Sequence, residues 1–458
     1  MLSLIFIFLP FCFCEEFIFG IATSPMQIEG AWLENNRTMT IWDNLAHSGF
    51  VKDGTNADVA ADSYHRFDQD IALMKEYGIK HYRTGIPWTR IIPRGVKGSP
   101  VNYKEVTYYR NVLNMITSQG IIPYVNLFHN DIPAILAING TGKYDDEFPD
   151  NFAYYADVCF REFGDLVPYW FTFDEPWCQS IYEHTLEFEA NVKPYKIAHN
   201  LLLAHAKAVH NYRKNYEPKY HGKIGINLIG EMAWPYDEKD DKDVEAAQRS
   251  LIFQVDWFAD PIFTGDYPAE MRRIVKERLP TFTEEEQQMI KGSVDFFSIN
   301  HYFSHLIKDG GRTRKVTYYD DVNVTQKRKP EWKNTDMGWP IVPEGLYGLL
   351  KYVYDKWVKN NPMEIWITEN GLAVYEPTTK ESISDRDRVE YMHDYLSALG
   401  KARSEGIPVK RYFAWSLLDN FEWGSGLSKR FGLIRVDYTT FKRIPKLSMK
   451  WYAQLLKD

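Results

Sequence analysis

Two glutamates are the strongest candidates for chemistry in this sequence of 458 residues. Glu175 stands near the end of the run YWFTFDEP, and Glu369 lies in the run EIWITENG, 194 positions later. Each closes a short β-rich segment, so both side chains are predicted to lie at strand ends. Two carboxyl groups, one protonated and one ionised, are what hydrolysis of a glycosidic bond requires. One protonates the leaving oxygen, and the other attacks the anomeric carbon or stabilises its developing positive charge.

Arg83 and Tyr302 are the residues that we expect to set the charges of this pair. Arg83 lies in HYRTGIPW and Tyr302 ends FFSINHY, two further β-rich runs. A guanidinium close to Glu369 would favour its ionised form, and the tyrosine hydroxyl would add a hydrogen bond. The charge on Glu369 would then disfavour ionisation of Glu175, which we expect to stay protonated.

Other kinds of site lack their sequence motifs. The chain contains no HExxH or CxxC motif and no phosphate-binding glycine loop. We therefore predict no metal and no cofactor. The formal net charge is −8, whereas a nucleic-acid-binding protein would usually carry a basic face. Aromatic residues make up 16% of the chain, which suits a packed core and also a cleft that stacks flat ligand faces.

Eight short β-rich runs alternate with helix-like stretches. Such alternation indicates parallel strands joined by helical crossovers. Eight strands close an α/β fold of the (β/α)8 TIM-barrel type, and about 450 residues suits one with long loops after its strands. A doubly wound open sheet is the alternative, but FGIATS lacks the glycine fingerprint that usually follows its first strand. The runs are 17–24, 81–88, 121–129, 169–176, 224–230, 296–302, 364–371 and 409–418.

The helix-like stretches and the strand ends complete the predicted architecture. Apolar residues at helical spacing predict helices over 61–78, 195–212, 344–357 and 387–406. In a barrel of this type the active site lies at the C-terminal ends of the strands. The polar and aromatic residues near those ends are Gln27, Arg83, Trp88, His129, Glu175, Asn300, Tyr302, Glu369, Asn370 and Trp415.

The N-terminus is predicted to be a processing segment. Residues 1–14 are apolar and end in Cys12-Phe-Cys14, which indicates a signal peptide cut before Glu15. The mature chain, 15–458, would be one secreted, extracellular barrel domain with no membrane span, and its oligomeric state stays open. Cys159 and Cys178 would remain, enough for one disulfide at most. Three sequons predict glycosylation, at Asn36, Asn139 and Asn323.

A series of longer motifs occurs in order along the chain. They are FIFGIATSPMQIEGAW, HYRTGIPWTRI, LFHNDIP, TFDEP, INHY, TDMGWPIVPEGLYGLL, ITENG, and WSLLDNFEWGSG followed by RFGL. In this combination the sequence resembles glycoside hydrolase family 1, the β-glucosidase family, from Phe17 to about Leu455. The resemblance implies a (β/α)8 barrel and a retaining enzyme. It implies that Glu175 is the general acid/base and Glu369 the nucleophile that forms a glycosyl-enzyme.

The same resemblance implies roles for the residues around the glutamates. Tyr302 and Arg83 match the partners of the nucleophile. Trp415 matches the platform under the sugar ring, and Trp339 matches the aromatic residue that lines the aglycone mouth. The residues that would hydrogen-bond the sugar hydroxyls are Gln27, His129, Glu422 and Trp423.

Two positions depart from the family pattern. The family has Asn-Glu-Pro where this chain has Asp174-Glu175-Pro176. An ionised aspartate cannot donate a hydrogen bond toward the sugar 2-hydroxyl, and it adds a third carboxyl to the pair. Asn130 replaces the tryptophan that usually follows the histidine, which removes an indole N–H and a flat wall. We expect an altered sugar preference, a shifted pH optimum or reduced activity.

Three functions fit these observations. The first is a retaining β-glycosidase that acts on β-D-glucosides or related small-molecule β-glycosides. The second is a β-thioglucosidase of the insect myrosinase type, which keeps the acid glutamate that the plant type replaces with glutamine. The third is a sugar-binding protein on a weakened barrel, for which Asp174 and Asn130 are the evidence.

Overall fold

A computed structural model gives the structure of this chain and describes residues 17–138, 142–181, 192–310 and 316–457. The predicted signal peptide (1–14), its cleavage site and the sequon at Asn139 lie outside the described residues. Among the described residues, no helix is both long and apolar enough to cross a membrane.

Eight parallel strands form a closed barrel, as predicted from the alternating pattern. Around the barrel each strand pairs with its neighbours in sequence, and the last pairs with the first. The strands are β1 (Ile18–Ala22), β2 (His81–Gly85), β3 (Ile122–Asn126), β4 (Tyr169–Asp174), β5 (Lys223–Ile229), β6 (Phe297–Asn300), β7 (Ile365–Asn370) and β8 (Val409–Trp415). Each coincides with one of the eight predicted runs.

Helices follow every strand. The four predicted helices are present, with shifted ends: Phe67–Glu76, Lys193–Asn215, Pro343–Val353 with a π-helical turn to Val358, and Arg386–Ser404. The first begins later than predicted because Asp62 takes a left-handed conformation (φ 56°) before a short 3-10 turn. The other α-helices are Pro25–Ile28, Ile41–His47, Trp88–Ile91, Tyr103–Ser118, Ala134–Ile138, Phe148–Phe163, Pro176–Ile181, Glu217–Tyr220, Asp241–Leu251, Trp257–Thr264, Ala269–Val275, Glu284–Ile290, Tyr318–Val322, Thr379–Ser382 and Leu447–Leu455.

Two smaller sheets lie outside the barrel. Met232–Pro235, Ser304–Asp309 and Val324–Lys327 form a three-stranded sheet, and Ile434–Val436 pairs with Arg443–Pro445.

Cys159 and Cys178 are both free thiols. The disulfide that the sequence left open is therefore not formed between them.

Aromatic side chains fill the barrel interior below the strand ends. Phe296 stacks on Trp366 with ring centres 3.6 Å apart, and Arg411 lies over Trp366 at 4.1 Å near the N-terminal end. Phe171 packs between this layer and Arg83, whose guanidinium lies 5.4 Å from the Phe171 ring centre. The barrel interior is therefore a packed core, and the buried guanidinium of Arg83 lies against its aromatic layer.

Irregular pairing at the strand ends positions the polar residues. On β4 and β5 the register shifts before Asp174, which then pairs with Asn227. On β7 and β6 a similar shift brings Glu369 level with Asn300. Such irregularities change the direction in which side chains point. Here they bring the polar side chains at the ends of neighbouring strands together above the aromatic layer.

Candidate active site

A cavity of about 830 Å³ opens above the C-terminal ends of the strands. Ten of the twelve side chains predicted to form the active site line it. Gln27 and Arg83 are the other two, and both are fully buried behind the wall. The lining residues from the predicted set are His129, Asn130, Asp174, Glu175, Tyr302, Trp339, Glu369, Trp415, Glu422 and Trp423.

Glu369 is held by two buried donors. The Arg83 guanidinium donates to Glu369 Oε1, and the Tyr302 hydroxyl donates to Oε2 at 2.8 Å. The structure thus places both predicted partners of Glu369 within hydrogen-bonding distance. The carboxylate is fixed from two sides, which leaves its orientation little freedom.

Arg83 also donates a hydrogen bond to a second carboxylate. Its second terminal nitrogen donates to Asp174 Oδ1. The same oxygen accepts from Asn227 Nδ2 at 2.5 Å and from Asn300 Nδ2 at 3.5 Å. Asp174 Oδ2 lies 3.4 Å from His129 Nε2. One guanidinium is therefore shared by two carboxylates.

This sharing affects the protonation of both carboxyl groups. Burial would raise the pKa of Asp174, but the charge of Arg83 and the hydrogen bond from Asn227 hold that pKa below its usual value. Burial and the charge of Asp174 raise the pKa of Glu369 well above its usual value, against the opposing effect of Arg83. Arg83 therefore favours the ionised form of Glu369, as expected, but burial and the charge of Asp174 oppose it.

Glu175 follows β4 in a left-handed backbone conformation (φ 46°) and directly precedes the helix Pro176–Ile181. Its Oε1 accepts from Asn300 Nδ2 at 2.9 Å, and the Cys178 thiol also hydrogen-bonds to its carboxyl group. Burial raises the pKa of Glu175 to about 7, and the negative charge of Asp174 adds to the effect. Glu175 is therefore protonated below neutral pH, although Asp174 rather than Glu369 is the chief charge responsible.

His129 lies in a polar and aromatic wall beside Asp174. Its ring is nearly parallel to Trp415, at 10° and 5.7 Å, and to Trp423, at 11° and 5.9 Å. Burial lowers the pKa of His129 to about 4, so the imidazole is neutral at ordinary pH. Flat rings beside a neutral donor suit the faces and hydroxyls of a sugar.

Gln27 and Glu422 extend this wall. Gln27 Nε2 donates to Asn420 Oδ1 at 3.2 Å and to Glu422 Oε2 at 3.4 Å, while its buried Oε1 has no hydrogen-bond partner among the described residues. Burial raises the pKa of Glu422 to about 8, with a contribution from Glu175. A protonated Glu422 can both donate and accept.

The opposite wall is aromatic. Trp339 packs 5.5 Å from Tyr302 and 5.0 Å from Phe303.

Asn130, after β3, has a left-handed backbone (φ 59°), and its Oδ1 accepts from Lys143 Nζ at 3.3 Å. Its side chain lines the cavity where the family pattern has an indole.

One group of side chains has the spacing of metal ligands. His129, Asp174 and Glu369 place their ligand atoms within 4.8 Å of one another. Arg83 donates to both carboxylates of this group and already supplies a positive charge there. The arrangement fits charge compensation by a guanidinium better than binding of a divalent cation.

Sequence reasoning missed several residues of the site and misplaced two, Trp88 and Asn370. Asn370 is fully buried, and its Nδ2 donates to the carbonyl oxygen of His301. Asn227 on β5 bonds both Asp174 and Asn300, but a lone asparagine in the apolar run IGINLIG gave no signal. The sequence marks Cys178 only as a possible disulfide partner. Trp88, expected at the site, is fully buried and stacks on Tyr155 at 5.4 Å, because the chain turns into a helix at that residue.

Comparison with known proteins agrees with this geometry. The model of the glycosyl hydrolase family 1 matches residues 10–458. The furostanol glycoside 26-O-β-glucosidase of Hellenia speciosa is 40% identical, with 97% of this chain and 83% of that protein covered. β-Glucosidase 1B of Phanerodontia chrysosporium is 39% identical, with 96% and 84% covered.

Solved structures give the same result. A rice β-glucosidase superposes with a TM-score of 0.92 at 39% identity, covering 97% of this chain and 98% of that one. An aphid myrosinase superposes with a TM-score of 0.90 at 33% identity, covering 97% and 99%. With a matching family model, a shared barrel and two glutamates facing one cavity, this chain belongs to glycosyl hydrolase family 1 and is a glycosidase of the β-glucosidase type.

Proposed function

We propose that this enzyme hydrolyses terminal β-D-glucosides with retention of configuration, through a covalent glycosyl-enzyme. The observation that carries the proposal is the division of roles between two glutamates in one cavity. Glu369 accepts hydrogen bonds from Arg83 and Tyr302, and both contacts favour its ionised form against the effect of burial, whereas burial raises the pKa of Glu175 to about 7. Retaining glycosidases need one carboxylate to attack and one acid to protonate.

In the first step Glu369 attacks the anomeric carbon, and the bond from that carbon to the leaving oxygen breaks. Glu175 gives its proton to that oxygen, so the aglycone leaves as an alcohol. In the second step the ionised Glu175 takes a proton from water, whose oxygen attacks the same carbon and releases Glu369. Both glutamates end in their starting states.

The polar wall is proposed to hold the sugar during both steps. Gln27, His129 and Glu422 supply donors and acceptors for hydroxyl groups, and the indole of Trp415 faces the ring. Trp423 adds a second indole beside His129. Trp339 is proposed to line the aglycone side.

A relative supports the covalent intermediate. A mutant of the rice β-glucosidase has been solved in a covalent complex with glucose. That protein is 39% identical to this chain over nearly its whole length. The same kind of adduct on Glu369 is what the proposed mechanism requires here.

A panel of aryl β-glycosides that differ only in the sugar tests the proposal. The wild-type enzyme should release chromophore from the β-glucoside, and Glu369→Gln should lower kcat by several orders of magnitude, because an amide cannot form the glycosyl ester. Circular dichroism of the variant should match the wild type. Turnover by Glu369→Gln at the wild-type rate would contradict the assigned nucleophile.

Hydrolysis of thioglucosides is the second candidate. The likeness to the aphid myrosinase favours it, and Glu175 retains the carboxylic acid. Release of glucose and sulfate from a glucosinolate, faster than from an aryl β-glucoside, would replace the first proposal with this one. Absence of turnover on both substrates would favour a weakened, sugar-binding protein.

We also propose that residues 1–14 are removed and that the mature chain is secreted as a glycoprotein. Asn36 is exposed and accessible to a glycan, which supports this proposal. Asn323 is half-buried and donates to Asp309 Oδ1 at 3.3 Å, so it is less accessible to a glycan than Asn36. Enzymatic deglycosylation of protein from the culture medium should reduce its mass, and an intracellular, unmodified protein would refute the proposal.

A further inference from the structure

We infer that the sugar site is built for a cationic glycone, a 2-amino-2-deoxy-β-D-glucoside, whose C2 ammonium binds Asp174. The inference rests on the proposed function, because it specifies which sugar occupies the cavity. It comes from the charge balance at the strand ends and from the one oxygen of Asp174 that the described side chains leave without a hydrogen bond.

The cavity wall is strongly acidic. Among the described lining residues Lys52 is the one lysine or arginine. Behind the wall, Arg83 is shared between Asp174 and Glu369. When both carboxylates are ionised, this buried group keeps one net negative charge. The carboxyl residues of the wall are Asp174, Glu175, Glu231, Glu369 and Glu422.

The two oxygens of Asp174 have different surroundings. Oδ1 accepts from Arg83, Asn227 and Asn300. No hydrogen bond reaches Oδ2 from the part of the chain that the structure describes, and the neutral imidazole of His129 places its Nε2 3.4 Å away. Asp174 is 4% exposed and lines the cavity. Oδ2 is therefore available to accept a hydrogen bond from a ligand in the cavity.

The position of Asp174 matches the substituent on C2. Its carboxylate and that of Glu369 lie within 4.8 Å of each other, so it reaches atoms next to the carbon that Glu369 attacks. Two ring atoms flank that carbon, the ring oxygen and C2. An ionised carboxylate only accepts hydrogen bonds and the ring oxygen has no hydrogen, so Asp174 belongs to the C2 side.

An ammonium group satisfies this site better than a hydroxyl group. It donates a charge-assisted hydrogen bond to Oδ2 and cancels the net charge of the group formed by Arg83, Asp174 and Glu369. With that charge cancelled, Glu369 ionises more readily for attack. A 2-hydroxyl donates a weaker bond and leaves the charge in place. A 2-acetamido group carries no charge and adds bulk against a buried side chain.

The test compares kcat/KM for an aryl 2-amino-2-deoxy-β-D-glucopyranoside and the matching aryl β-D-glucopyranoside near pH 6, where the amine is protonated. In Asp174→Asn, kcat/KM for the amino sugar substrate itself should fall about 10- to 100-fold, the loss expected for one charged hydrogen bond, whereas kcat/KM for the glucose substrate should not fall. Asp355→Asn, at an exposed residue that pairs with Lys351, is the matched control and should leave both values unchanged. An unchanged or higher kcat/KM for the amino sugar substrate in Asp174→Asn would overturn the inference.

A binding measurement on the wild type removes any dependence on the fold of the variant or on turnover. By isothermal titration, D-glucosamine should bind about tenfold or more tightly than D-glucose, and N-acetyl-D-glucosamine should bind more weakly than D-glucosamine. Equal or weaker binding of D-glucosamine would overturn the inference. Tighter binding without turnover of any glycoside would support it and contradict the proposed function, whereas turnover of glucosides without an amine preference would do the reverse.

Discussion

At the scale of single residues, the behaviour of this site depends on Asp174. It shares the Arg83 guanidinium with Glu369 and also accepts a hydrogen bond from Asn227. Burial raises the pKa of both glutamates, and the charge of Asp174 raises both further. One carboxylate at this position therefore influences the protonation of the two groups proposed to perform the reaction.

The variant Asp174→Asn tests this dependence. Its Oδ1 can keep the bonds from Arg83 and Asn227, while its Nδ2 becomes a donor into the cavity. Removing the charge lowers the pKa of Glu369 and of Glu175, so both limbs of the pH–activity profile should move to lower pH. On aryl β-glucosides the gain should be about 1–3 kcal/mol of transition-state stabilisation. Identical kcat/KM profiles from pH 4 to 8 would show that Asp174 has no such influence.

Glu175→Gln is expected to be selective for the leaving group. A glutamine cannot protonate the leaving oxygen, so substrates with poor leaving groups should lose turnover by several orders of magnitude. Formation of the glycosyl-enzyme from nitrophenyl glucosides should be largely spared, because those groups leave without a proton. Pre-steady-state release of nitrophenolate measures this step. An equal loss on both substrate types would argue against Glu175 as the acid.

At the scale of elements, the strands were predictable and their mutual register was not. Runs of apolar and β-branched residues identify all eight strands, because each is buried on both faces. The pairing of Asp174 with Asn227 and of Glu369 with Asn300 depends on local shifts in register. No residue pattern marks those shifts. The sequence therefore suggested which strand ends meet, but not that Arg83 is shared or that Asn227 takes part.

Gly371 shows how closely two strand ends approach beside the site. A Cβ atom at this position would lie 1.9 Å from the carbonyl oxygen of Trp415. Gly371→Ala should therefore separate the ends of β7 and β8, displace Glu369 and Trp415, and destabilise the fold by about 1–3 kcal/mol. Urea denaturation and kcat/KM measure the two effects.

Gly142→Ala is the matched control for this glycine. Among the described residues, the nearest atom to its added Cβ is Ala137 Cα at 3.4 Å, an ordinary contact. This variant should retain wild-type stability and activity. A fully stable and active Gly371→Ala would mean that the strand ends adapt without cost.

At the scale of the whole molecule, two sets of buried groups make the stability of the fold depend on pH in opposite directions. Carboxyl groups with raised pKa values stabilise the fold when protonated, and this stability is lost as pH rises through their folded values. Histidines with lowered pKa values stabilise the fold when neutral, and this stability is lost as pH falls below about 6.5. The carboxyl groups are Asp131 and Asp256 (pKa about 6), Glu175 (about 7) and Glu422 (about 8). The histidines are His81, His129, His199 and His301 (about 4) and His205 (about 3).

The melting temperature should therefore be highest between about pH 4.5 and 6.5, where the two effects oppose each other. Above this range it should fall up to about pH 8 as the buried carboxyl groups ionise, and below it the histidines should dominate the loss. Glu422→Gln should make the decline above pH 6.5 shallower, because the group with the highest of these carboxyl pKa values is gone. Differential scanning calorimetry across pH 4 to 8 measures the profile. A melting temperature that rises steadily from pH 6 to 8 would contradict this assignment.

The stereochemistry of hydrolysis tests the division of labour between Glu175 and Glu369 most directly. Proton NMR of the wild-type enzyme with an aryl β-glucoside records which anomer of glucose forms before mutarotation mixes the two. Double displacement through Glu369 predicts that β-glucose appears first and that the α-anomer follows slowly. α-Glucose as the first product would mean direct attack by water, and it would contradict a glycosyl-enzyme on Glu369.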